Sequence, residues 1–317
     1  MGFAVTVAEQ VVIMFLLIAV GFFMFRIKMV DTHTMKHMTD VLLYIVTPAI
    51  LFNSFTIERT DELLKSLLLA FALAIVSYLC AFAVAYLLVR KKGNPHAAIE
   101  RFAIIYPNNG FMGIPLVAAV FGETGILYAT AYICIGNIFT WTHGVSLIIR
   151  SRNQEGNREK FKMPLSQLLL SPPLLSFFVG FLVFLLRIPI PGTLQQGIQY
   201  IASLNTPLAM MIVGTNLAQT PILSAFRSPR LYWVVFLINL AVPCVILALF
   251  SFLPFSTDLL INNIILSACP SAAMTIIFAE KYKNDVEYAT RLFTLSSLMT
   301  LITLPLIMTL TSLCLGR

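Results

Sequence analysis

The sequence predicts an all-α membrane protein of ten transmembrane helices, built as two inverted five-helix repeats with one broken helix in each. The first observation is composition: 59% of the 317 residues are hydrophobic and 11% charged, with a mean hydropathy of +0.89. Soluble domains are about half apolar and a quarter charged, so this chain belongs in a bilayer. The second is spacing, because charged residues separate ten apolar runs, each near the roughly 20 helical residues that cross a hydrocarbon core. The third is repetition. TPAILF at Thr47–Phe52 returns as TPLAMM at Thr206–Met211, and VGFFMF from Val20 returns as VGFLVF from Val179, both 159 residues later. YATAY from Tyr128 returns as YATRL from Tyr288, 160 later.

The expected spans are 8–26, 39–56, 64–89, 97–119, 125–149, 166–187, 196–218, 229–253, 259–280 and 288–314. Their apolar residues run continuously instead of alternating, which argues against an outer-membrane barrel. The leading residues of the first span carry Glu9 and no Lys or Arg, and no small-x-small cleavage site follows, so it reads as a retained helix. Cys80, Cys134, Cys244, Cys269 and Cys314 all fall inside spans, where they act as small packing residues.

The formal net charge of +7 reflects topology, not nucleic-acid binding. Only Arg59, Lys65, Arg187 and Arg317 lie on the side reached after the even-numbered spans; the other 17 of the 21 Lys and Arg residues lie on the opposite side. The positive-inside rule makes that basic side cytoplasmic and puts both termini outside. Five spans per half invert the second copy relative to the first. Residues 1–150 form the first repeat, 151–163 a cytoplasmic linker loop (its polar core RSRNQEGNREKFK at Arg150–Lys162), and 164–317 the second repeat.

The chemistry concentrates where each half is interrupted. YPNNGFMGIP at Tyr106–Pro115 places two prolines, two glycines and two asparagines inside a span, and LSACPSAAMTIIF at Leu266–Phe278 places Pro270 among small and hydroxyl residues. Proline removes an amide donor and clashes one turn back, so breaks are expected at Pro107 with Pro115 and again at Pro270. Orphaned backbone groups in lipid cost several kcal/mol each and survive only inside protein or beside a wet cavity. Paired breaks in matching halves are a pointer to a transport site. Crossing near the midplane, their helix N-termini would face an anion from two sides. Asn108 and Asn109 add amide donors and acceptors without a fixed charge. The alternative is that Pro107, Pro115 and Pro270 only kink packed helices.

PNNGFMGIPL, TPLAMM followed by Gly214, and ACPSAAMTIIFAEKY together resemble the auxin efflux carrier family, whose bacterial members are described as organic-acid permeases; the likeness covers almost the whole chain. The resemblance implies a fold like that of sodium/proton antiporters and bile-acid symporters. In it spans 1, 2, 6 and 7 form a scaffold, spans 3–5 and 8–10 form a moving transport domain, and two copies pair through the scaffold. It puts the crossover asparagine on Asn108 and a polar family residue on Asn53; Ser271 stands where a second-repeat contact would be.

The expected function is a secondary carrier of a small organic anion, such as a carboxylate or auxin-like acid, working by elevator-type alternating access. The expected substrate-binding residues are Pro107, Asn108, Asn109, Gly110, Pro270, Ser271, Thr275 and Asn53, with His143 as a proton or ion-coupling residue. The alternative for His143, and the reading that residue type favours inside a span, is a satisfied packing histidine. Asn53, Ser54, Thr215 and Asn216 lie at similar depth and either line the scaffold side of a pocket or cap helix ends. Gln195, Gln196 and Gln199 read as a solvated helix end. His33 and His37, spaced i, i+4, lack the glutamate and third ligand of a zinc site and read as an interfacial turn, so no metal is expected. Asp40, Asp258 and Glu280 read as solvated or cap residues. No mid-span carboxylate, nucleophile or ATP-binding loop is legible, so neither enzyme chemistry nor a cofactor is expected. The rival readings are a transport-dead membrane sensor for a small acid and a proton- or sodium-coupled symporter of a neutral solute.

Overall fold

The computed structural model describes residues 2–152, 172–219 and 222–315. Residues 153–163 of the expected linker, and the first residues of the expected sixth span, lie outside the described residues.

All regular structure among the described residues is helical. The first half comprises α1 at Gly2–Arg26, α2 at Thr32–Asn53, α3 at Asp61–Leu88, α4 at Ala97–Ile105, α5 at 109–121 and α6 at 123–152. The second comprises α7 at Pro172–Leu186, α8 at Gly192–Ala218, α9 at Pro229–Phe250, α10 at Thr257–Ser267, α11 at Met274–Lys281 and α12 at Val286–Cys314. Among the described residues, seven helical stretches, one of them the bent Asn109–Ile149 that holds α5 and most of α6, are long and apolar enough to cross a membrane, with α7 apolar but shorter in its described part. Together with large apolar side chains left on the surface, such as Leu16 and Leu87, this is a multi-pass membrane protein.

Short polar residues start the helices. Asp31 accepts from the Thr34 amide at 2.7 Å, Thr60 from Leu63 at 3.1 Å and Asp285 from Tyr288 at 2.9 Å, each holding a first-turn N–H that has no partner in its own helix. The Asp31 cap also corrects one expectation. His33 and His37 lie not in a turn but in the first turns of α2, their rings edge to face at 4.4 Å.

Proline shapes the interiors in two ways. Widened, π-type turns at Leu42–Val46, Asn109–Gly113 and Leu237–Ala241 each end two residues before a proline, at Pro48, Pro115 and Pro243. The missing proline amide disturbs the hydrogen-bond ladder, and the helix absorbs it by opening one turn. Pro115 was expected to help break its span, yet it sits in a helix that continues through it. The break is at Pro107. Asn109–Ile149 would make about 60 Å of straight helix, twice the hydrocarbon thickness. Gly122, at φ 61° and ψ −143°, turns the chain there, a conformation a Cβ would disfavour.

Helix α1 packs most extensively on α8. Gly21 lies directly on the Met211 backbone, and Gly214 on that of Ile18 and Phe22; a Cβ at either would collide with main chain. Small residues permit such approach where lipid offers no hydrophobic drive to association. Helix α7 packs on α2, with Gly180 against the Phe55 ring. Around α4, α6, α10 and α12 a larger buried core holds Phe102, Tyr132, Phe278 and Phe293.

Candidate functional site

Helix α4 ends because Pro107 follows. Tyr106, the residue before it, is extended at φ −113° and ψ 91°, as the proline ring demands. Residues 106–108 leave helical geometry, as do 268–273 between α10 and α11. The two stretches meet as a short antiparallel bridge. The Asn108 amide donates to the Pro270 carbonyl at 2.7 Å and the Ala272 amide to the Tyr106 carbonyl at 3.1 Å. Groups orphaned by one break are thus partnered by the other, which answers how irregular backbone is tolerated at membrane depth.

Beside the bridge is a cavity of about 120 Å³, lined on one side by Tyr106–Phe111 and on another by Ala272–Met274, with Tyr78, Thr47, Gly136, Asn137 and Thr140 and the apolar Leu43, Ile133, Pro173 and Ile277 forming the rest of the wall. At roughly 30 Å³ per water it holds about four waters, the scale of a very small organic ion. The first turns of α5 and α11 open onto it, and neither has a side-chain N-cap bond. No Asp, Glu, Lys, Arg or His lines it. Asn108 is 5% exposed and its side-chain Nδ2 is buried without a partner. Asn109 donates from Nδ2 to the Tyr78 hydroxyl at 3.2 Å.

The expected site residues divide into groups. Pro107, Asn108, Asn109 and Gly110 line the cavity. Pro270 supplies the bridge carbonyl without lining it. Ser271 and Thr275 are fully buried behind the bridge, their hydroxyls bonded to each other at 2.9 Å, and the Ser271 amide donates to Ser296 Oγ at 3.3 Å. Asn53 is buried with Oδ1 unpartnered but does not line the cavity. Thr47, nearly two turns earlier on α2, does. Thr215 and Asn216 bond back to the Ile212 carbonyl, at 2.8 and 3.1 Å. His143 sits one shell out: Tyr106 OH is 2.8 Å from Nδ1 and Tyr86 OH 2.8 Å from Nε2. Since Tyr106 OH also reaches the Phe139 carbonyl at 3.0 Å, the consistent arrangement has Nδ1–H donating to Tyr106 and Nε2 accepting from Tyr86.

Sequence reasoning missed Tyr78 and Thr47, which sit in apolar runs that carry no mark of a binding site. It also missed Glu100. This carboxylate, at the start of α4, is fully buried and bonded at once to Arg230 on α9 (2.8 and 2.6 Å), Tyr288 on α12 (2.7 Å) and Asn94 (2.7 Å). The two-pronged Arg230 contact matches guanidinium to carboxylate geometry and ties three helices at one end. Among the described residues no group of three or more His, Cys, Asp or Glu side chains is placed to hold a metal ion.

A family model described as membrane transport protein matches residues 6–308. An uncharacterized transporter of Methanocaldococcus jannaschii is 27% identical over 305 residues, 88% of this chain and 90% of the relative. An uncharacterized transporter of Methanothermobacter thermautotrophicus is 23% identical over 307 residues, 94% of this chain and 96% of the relative. A Rhizobium meliloti protein provisionally named a malonate transporter is 24% identical over 209 residues, 65% of each chain.

Proposed function

The chain belongs to the membrane transport protein family, the family to which its PNNGFMGIPL and ACPSAAMTIIFAEKY motifs pointed, and from that premise we propose that it is a secondary carrier of a small organic anion. The substrate sits at the meeting of the two breaks. The observation that carries this reading is the Asn108 side chain, a buried amide donor with no protein partner, at the wall of a cavity onto which two uncapped helix N-termini open. A carboxylate supplies the missing acceptor, and the partial positive charge at both helix ends favours it. Malonate is the first substrate to test, from the provisional name of the Rhizobium relative.

The mechanism follows from the repeat. Gly21 packs on Met211 of α8 and Gly180 packs on Phe55 just beyond α2, so residues 159 apart each contact the other half's second span. This reciprocity supports two inverted copies of five spans, with α4/α5 and α10/α11 each counted as one interrupted span. Helices α1, α2, α7 and α8 form the scaffold. The remaining helices form the moving domain, which the Glu100–Arg230–Tyr288 cluster holds together across three spans. The basic side is cytoplasmic and both termini are outside.

With no charged side chain at the cavity, each crossing of an uncompensated anion moves net charge. At 100 mV about 2.3 kcal/mol acts per charge, nearly fifty-fold accumulation on the positive side. An interior-negative cell therefore exports the anion without a coupling ion. Proteoliposomes loaded with malonate, with no proton or sodium gradient, should lose it faster when a potassium diffusion potential makes the interior negative. Potential-independent efflux overturns the uncoupled mechanism and favours a proton-coupled one through His143, whose bond to Tyr106 reaches the cavity wall.

A further inference from the structure

A second cavity, of about 320 Å³, lies at the end of the molecule opposite the basic loops, between the α2–α3 connection, the end of α7 and the start of α8. Its chemistry is unusual for that side. Of the four Lys and Arg residues there, Arg59 and Arg187 both line this one cavity. Arg59 is held from behind: Nη1 donates to the Leu185 carbonyl at 2.8 Å and Nη2 reaches Asp61 at 3.4 Å, while its Nε is buried without a partner. The Arg187 guanidinium has no hydrogen-bond or ion-pair partner among the described residues. Its backbone is left-handed at φ 52°, just after α7 ends. That position ordinarily takes glycine, and a long cation there is held against a local backbone cost. Glu58 also lines the cavity, and Asp61 offsets Arg59, so Arg187 is its cation without a protein partner among the described residues, while Phe55, Phe184 and Ile188 give it an apolar wall.

We propose that this outer cavity binds an amphipathic monoanion, with Arg59 and Arg187 taking a phosphate or carboxylate and the Phe55–Phe184 wall taking the apolar part. One cation without a protein partner suits a singly charged head such as a lipid phosphodiester. A free fatty-acid carboxylate presents the same chemistry. The site is distinct from the crossover cavity, sharing no lining residue with it, and does not depend on what that cavity carries.

The left-handed backbone provides a clean variant, because Arg187→Gly removes the charge while relieving the strain and should fold at least as well as the parent. The test is the thermal shift of the purified full chain with short-chain phosphatidylglycerol, short-chain phosphatidylcholine and octanoate, since a ligand of the folded state raises its melting temperature. Phosphatidylglycerol or octanoate should raise it and phosphatidylcholine should not. Losing one charge-assisted contact should move half-saturation about tenfold higher in Arg187→Gly. Arg187→Lys should recover most of the affinity, and Asn108→Ala should leave it unchanged. A shift with phosphatidylglycerol alone identifies a lipid head; a shift with octanoate identifies a free acid. No shift with either, or equal shifts in Arg187→Gly and the parent, overturns the proposal.

Discussion

The two breaks occupy matching places in the two halves of the sequence but differ in their chemistry. The first, at 106–108, is three residues long and is followed at once by Asn109 and Gly110; it turns amides toward the cavity and leaves one of them unpartnered. The second, at 268–273, is six residues long; its Ser271 hydroxyl pairs with that of Thr275 on α11, and the Ser271 amide donates to Ser296 Oγ. Backbone pairing joins the two as equals, but side-chain chemistry does not. A hydroxyl already paired inside the protein gains less from a ligand than a buried free amide, which gains a whole hydrogen bond when one arrives. On the proposed reading, the first arm binds substrate and the second braces it.

That division can be broken experimentally, beginning with bracing. Glu100→Ala removes a fully buried carboxylate and strands Arg230, and breaking a buried pair costs about 3–5 kcal/mol. Arg230 is 42% exposed and can turn to water, so the lower end, about 3 kcal/mol, is expected in denaturant melts, with ligand affinity per folded molecule unchanged. On the binding arm, Asn108→Ala should weaken malonate binding by about 1–3 kcal/mol, roughly 5- to 150-fold, measured by ligand-induced thermal shift. Ser271→Ala should lower stability by about 1 kcal/mol and move affinity less than about twofold, reversing the pattern of Asn108→Ala. Asn53→Ala, away from the cavity wall, should change transport by less than about twofold. A larger effect would mean that α2 brings Asn53 to the substrate in another conformation.

Much of this was legible in the chain. Hydropathy marked every long helix because a bilayer requires continuous apolar length, and PNNG marked the first break because few sequences are so hostile to a helix. Pro115 misled, since the widened turn at Asn109–Gly113 absorbs its missing amide and the helix runs on through it. The turn expected at His33–His37 became helix once Asp31 capped it, a local signal that was there to be read. Glu100 was not readable: only folding brings Arg230, 130 residues away, to its carboxylate. Tyr78 and Thr47 were hidden for a related reason, because inside an apolar run a wall residue and a packing residue look alike. Topology separates from these questions experimentally. Single cysteines replacing Asp61 and Lys283 should label from opposite faces, Lys283 from the cytoplasm.

The most direct test of the central claim compares the two arms in one assay. Malonate counterflow in proteoliposomes at matched reconstitution should show half-saturation raised at least about fivefold by Asn108→Ala and within about twofold of the parent for Ser271→Ala. Equal half-saturation in the parent and Asn108→Ala, or a larger loss from Ser271→Ala, would contradict the assignment of substrate to the first break.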